Sequence, residues 1–146
     1  MPLNAEYAGN IRKTLTEKNK NLDELGIFAN NLAPSLEMFI PAVGVGIGGY
    51  AAISTGQVYN AFSLANPALK NISPLTLLKT PFAIMEIIAY SIAMSRSGLL
   101  TYYLVRKRQE WRQFIIPTAI EIGIVILILL VGSIIEWQAI LQRRHM

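Results

Sequence analysis

The chain has 146 residues, 53% of them hydrophobic and only 15% charged, with a net charge of +4 and a mean hydropathy of +0.41. A soluble domain of this size would have difficulty hiding that share of apolar side chains from water, so the composition points to a membrane protein. Crossing the roughly 30 Å hydrocarbon core takes about 20 apolar residues per helix, so three or four such segments use up most of the chain and leave no room for a separate soluble enzyme domain.

Cysteine is absent, which excludes disulfides, iron–sulfur clusters and thiolate metal sites. The single histidine, His145, lies in the polar ending Arg143-Arg144-His145-Met146 and reads as a terminal side chain, not a ligand. No metal or cofactor is expected. The basic residues gather at the ends of apolar segments, an arrangement that sets membrane topology and does not suggest nucleic-acid binding.

Residues 1–27 form a polar leader in which Arg12, Lys13, Lys18 and Lys20 face Glu6, Glu17, Asp23 and Glu24. Ile11, Leu15, Leu22 and Leu25 recur at loose helical spacing, so an amphipathic helix on the membrane surface is expected. The leader does not read as a cleavable signal, because the apolar run starts only after about thirty residues.

The apolar domain is expected over residues 28–140, with spans near 32–54, 75–105 and 114–137 and a polar flank over 141–146. In the first span Pro34 stands near the helix start, Pro41 inside it predicts a kink, and Glu37 falls near the interface. Gly44 and Gly48 form a small-residue stripe along which another helix can approach closely. Residues 55–75 carry glycine, asparagine and proline but also Val58, Tyr59, Phe62 and Leu64, so this connection either dips into the membrane, crosses it or packs on it.

The second span holds the most informative stretch, from Thr80 to Ser97. Pro81 opens it, and Glu86 and Arg96 lie within it. Charge inside lipid is costly and marks candidate function. On a helix Glu86 shares a face with Tyr90, Ala93 and Ser97, whereas Arg96, ten residues on, points about a right angle away. The partners of both must come from other helices, and the remaining membrane glutamates are the candidates. Ser95-Arg96-Ser97-Gly98 admits either a broken helix or a continuous irregular one, and the continuous reading is preferred.

After the basic connection around Arg106-Lys107-Arg108, the third span carries Pro117 in its first turn, Glu121 deep inside and Glu136 near its end. Trp111 and Trp137 bracket it as interfacial aromatics do. With three spans, the leader and the 106–112 connection share one side and hold eight Lys and Arg residues, against Lys70, Lys79, Arg143 and Arg144 on the other. The positive-inside rule then puts the N-terminus in the cytoplasm and the C-terminus outside. The expected fold is all-α: a polytopic bundle of three or four membrane helices.

The order of these features resembles the stage II sporulation protein M family of integral membrane proteins. The features are Asn30-Asn31-Leu32 at the mouth of the first span, Gly44 to Gly49 within it, and the connection Thr55-Gly56-Gln57-Val58. Further on come Pro81 followed five residues later by Glu86, and Ile134-Ile135-Glu136 closing the last span. The likeness covers roughly Phe28 to Ile140 and suits a short archaeal-type member. Family members often place proline, histidine and glycine ahead of the glutamate. This chain has Pro81-Phe82-Ala83, so no histidine-dependent role carries over.

The resemblance implies a non-enzymatic scaffold that assembles with itself or with other membrane subunits. On that reading Gly44 and Gly48 build helix contacts, Asn31 and Pro81 belong to the family pattern, and Glu86, Arg96, Glu121 and Glu136 form buried polar ties. The alternative from the residues themselves is a small oligomeric transporter or channel component that uses the same glutamates as a path for protons or cations. No His-Glu-x-x-His or Gly-x-Ser-x-Gly pattern occurs, and no enzymatic chemistry is expected.

Overall fold

The computed structural model describes residues 9–10, 13, 23–65, 73–107 and 110–144. Most of the expected amphipathic leader lies outside the described residues. Every regular element among the described residues is a helix: α1 (Glu24–Glu37), α2 (Gly44–Ala65), α3 (Pro81–Arg106) and α4 (Ile115–Arg144). Short 3-10 turns over Pro74–Lys79 and Trp111–Phe114 lead into α3 and α4.

The helix boundaries follow from local chemistry. Asp23 caps α1 by accepting the Gly26 amide at 2.8 Å, which satisfies one of the free donors of the first turn. Thr80 precedes α3 in extended conformation with Pro81 in the first turn, where a missing N–H costs nothing. Through Ser95-Arg96-Ser97-Gly98 α3 runs on without a break. At about 39 Å, its 26 residues exceed the hydrocarbon thickness. The last helix is longer still, extending beyond Trp137 to Arg144 and taking in the start of the expected polar flank.

The first expected span, 32–54, is not one helix. Helix α1 stops at Glu37, residues 38–43 turn, and α2 restarts at Gly44. Pro41 does more than kink the chain: it has no N–H to continue the ladder, and it disfavours helical geometry at Ile40 before it. Ala42 then takes a left-handed φ of 68°, uncommon for a residue with a Cβ. Beyond the turn, α2 continues to Ala65 and turns the first part of the expected 55–75 connection into helix.

Contacts fix the helix directions. Tyr103 packs on Phe114, Arg96 meets Glu121, and Met85 lies against the Gly132 backbone. The residue numbers move equally in opposite senses, the register of an antiparallel α3–α4 hairpin. Asn31 meets Tyr90, Ile40 meets Ser97, and Ala42 meets Thr101, so α1 runs parallel to α3. Gly44 adjoins Ser97 and Gly48 adjoins Met94, so α2 runs back antiparallel to α3. Residues 38–43 therefore reach the level of Ser97 to Thr101 and return without passing Arg106.

Asp23, Pro81 and the last turns of α4 lie toward one end of the bundle, while Arg106 and Trp111 lie at the other. The entry to α1 is therefore at the end opposite to the start of α4, where three full spans in sequence would put the two together.

The core is small. Met38 and Phe39 from the turn, Ala89 and Ala93 from α3, and Val125 and Leu129 from α4 form its buried cluster. Phe28, Leu32 and Ile47 are partly buried against it. Two helices are long and apolar enough to cross a membrane, Pro81–Arg106 and the stretch Trp111–Gln142, and little of either is covered by the rest of the protein.

Candidate functional site

The strongest polar contact joins the two long helices. Arg96 on α3 donates from Nε to Glu121 Oε2 at 2.5 Å, and from Nη2 to Oε1. Two parallel N–H···O bonds between a planar guanidinium and a carboxylate fix both angle and register. Both residues lie about ten positions from the α3–α4 connection, so the pair sits roughly 15 Å along the helices from it. The Arg96 side chain is 11% exposed and that of Glu121 28%. Helix geometry keeps Glu86 and Arg96 apart, and a glutamate of another helix supplies the partner, as the spacing in α3 requires.

A second polar group lies nearer the Pro81 end. Glu86 and Tyr90 stand one helical turn apart on one face of α3, their side chains close enough to interact. The Tyr90 hydroxyl also approaches the Asn31 carbonyl of α1 at 3.5 Å, the outer limit for such a bond. Glu136, on the inward face of α4, is close enough for its carboxylate to interact electrostatically with that of Glu86. Glu86 and Tyr90 of α3 thus face Asn31 of α1, with Glu136 of α4 within electrostatic range of Glu86, and all four are half-buried. Glu37, at the exposed end of α1, stands outside both groups.

The third set of contacts holds the 38–43 turn to α3. Ser97 donates from its hydroxyl to the Ile40 carbonyl at 2.6 Å. Thr101 accepts the Ala42 amide at 2.5 Å and donates to the Ser97 carbonyl at 2.6 Å, using both capacities of one hydroxyl. Non-helical backbone leaves N–H and C=O groups to be satisfied; the turn satisfies most of its own, such as Val43 and Gly44 to the Ile40 carbonyl, and α3 adds the bonds to Ala42 and Ile40. Ser97→Ala and Thr101→Val are each expected to lower unfolding free energy in mixed micelles by about 1 kcal/mol, the usual worth of such a bond. Ser91→Ala, on an exposed face of the same helix, should leave it within about 0.5 kcal/mol.

Gly44 and Gly48 serve packing within the chain. A Cβ on Gly44 would collide with the Met38 carbonyl and the Ser97 hydroxyl, and one on Gly48 would meet the Met94 side chain. Sequence reading missed the complementary stripe on α3. Ala89, Ala93 and Ser97 are fully buried, and Thr101 continues their spacing of four. That run of small residues was the available signal, masked by the attention the charges drew. On α4, Glu121, Val125, Leu129, Gly132 and Glu136 recur at spacings of four, four, three and four, one helix face.

Among the described residues, no group of three or more His, Asp or Glu side chains is placed to hold a metal ion. Their buried side-chain nitrogen and oxygen atoms all have hydrogen-bond partners. What the arrangement does chemically is tie helices by charge-assisted and neutral hydrogen bonds and bring two carboxylates, one of them beside a phenol, within electrostatic range. Comparison with family models, curated proteins and solved structures finds no match to this chain, so the functional argument stands on its own residues.

Proposed function

We propose that the protein is a non-enzymatic, multi-pass membrane protein that acts as a scaffold or small subunit of a membrane assembly, with the resemblance to stage II sporulation protein M as a second line of support. The observation that carries this reading is the use of its intramembrane polar groups. Arg96 and Glu121 pair with each other, and Ser97 and Thr101 hold a backbone turn. These groups are spent on architecture.

The surface supports placement in lipid. Ile84, Ile87 and Ile88 on α3, and Ile116, Ile120, Leu127 and Val131 on α4, are all exposed, more continuous apolar surface than a soluble monomer carries. The α1–turn–α2 unit enters from the Pro81 end and runs back antiparallel to α3, which leaves α3 and α4 as the pair that crosses, and a cytoplasmic N-terminus is part of the proposal.

Native-mass measurement in nanodiscs, with mild cross-linking in the source membrane, tests the assembly. The expected result is a homo-oligomer or a reproducible set of membrane subunits; a lone monomer with no cross-linked partner would sink the scaffold reading. One observation favours transport instead: two half-buried carboxylates on adjacent helices, Glu86 and Glu136, lie within electrostatic range of each other. Proton or cation flux in proteoliposomes that falls at least tenfold in Glu86→Gln, with assembly intact, would select that reading.

A further inference from the structure

We infer that the tip of the α3–α4 hairpin is a docking surface for the headgroups of anionic phospholipids; the inference rests on the membrane placement proposed above. Arg106 ends α3, Lys107 follows it, and Arg112 lies in the 3-10 turn before α4, all three exposed. Lys107 is partly neutralised by Glu110 at 3.5 Å. Glu110 is the only acidic residue from Met94 to Ile120, whereas Arg108 adds a further positive charge in the sequence. Among the described residues the tip therefore keeps a local excess of positive charge.

The cations stand on a built platform, not a loose connection. Tyr103 stacks on Phe114 with ring centroids 4.2 Å apart, and the Lys107 ammonium lies 5.8 Å from the Tyr103 ring centroid. The Lys107 amide donates to the Tyr103 carbonyl at 2.9 Å, and the Glu110 amide to the Lys107 carbonyl at 2.9 Å. Immediately below the cations, Val105 is 75% exposed and Ile116 72%. Exposed Tyr102 and half-buried Trp111 mark the boundary. Apolar, aromatic and basic side chains are thus interleaved within about one helical turn at this end of the hairpin, the mixture suited to the boundary between acyl chains and headgroups.

A free anion satisfies only the cations, whereas a phospholipid also covers the exposed apolar and aromatic side chains beside them, which is why lipid is the occupant. The test reconstitutes the full chain into nanodiscs of phosphatidylcholine mixed with phosphatidylglycerol, then counts the lipids retained after transfer to detergent by native mass spectrometry. Retained lipid should be enriched in phosphatidylglycerol, and Arg106→Gln and Arg112→Gln should each reduce the enrichment by up to about fivefold. Raising salt to about 1 M should also weaken it, and Lys79→Gln, at the opposite end, should leave it unchanged. Entry into nanodiscs without enrichment, or enrichment that survives the Arg106→Gln/Arg112→Gln pair, would overturn the inference alone. Failure to enter any bilayer would overturn it together with the membrane placement. Displacement of the retained lipid by inorganic phosphate at constant ionic strength would overturn the lipid assignment in favour of a free-anion site.

Discussion

Glu121→Gln is expected to cost about 3 kcal/mol or more in unfolding free energy, because it leaves the Arg96 guanidinium without its carboxylate in a largely covered, apolar setting. Arg96→Gln should cost less. A guanidinium cannot shed its charge, so its isolation is the harder of the two to relieve. Replacing both, as Arg96→Met with Glu121→Leu, should recover most of the loss, since an apolar pair of similar volume often matches or exceeds a buried ion pair. Unfolding curves in mixed micelles for the two single variants and the double one read all of this. If the double variant is as unstable as Glu121→Gln, the guanidinium's isolation is not the cause, and the account of this tie is wrong.

Gly44→Ala is expected to be severe for a single methyl group, about 2 kcal/mol or more, as overpacking of a tight contact commonly is. The added Cβ would run into the Met38 carbonyl and the Ser97 hydroxyl that holds the turn. Backbone cannot swing aside as a side-chain tip can. Gly48→Ala meets only the thioether of Met94, a flexible neighbour, and should cost less than Gly44→Ala. Gly49→Ala and Gly56→Ala meet nothing within 4 Å, and alanine is the better helix former by about 1 kcal/mol. Those two should be neutral or stabilising. An order in which Gly49→Ala is the most damaging would show that the outer face of α2 is packed against something and would favour contact between subunits there.

Much of the site was legible before the fold was known. Glu86 and Arg96 are ten residues apart, and helix geometry alone separates them and demands partners from elsewhere. That Glu121 serves Arg96 was within reach, since both stand about equally far from the connection and a short connection makes an antiparallel pair. The grouping of Asn31, Glu86 and Glu136 was not, because α1 can lie on either side of the α3–α4 hairpin without any change in its own pattern. Pro41 illustrates the same limit. A proline in an apolar segment is tolerated as a kink or ends the helix, and the choice depends on whether another helix satisfies the backbone groups it frees. Here the Glu37 carbonyl takes the Ile40 amide within the turn, and Ser97 and Thr101 tie the Ile40 carbonyl and the Ala42 amide to α3.

The sequence by itself determined that the protein is helical, that its two most apolar stretches are long enough to cross a bilayer, and that each carries a charge needing a partner. These are properties of composition and period, which act along the chain and need no knowledge of neighbours. Only the tertiary structure decided that residues 32–54 are two helices and not one span, that Asp23 and the 106–112 connection lie at opposite ends, and that Gly44 is tight where Gly49 is open. Those outcomes depend on side chains dozens of residues away, such as the Ser97 hydroxyl beside Gly44. A local pattern carries no information about which remote atom will arrive.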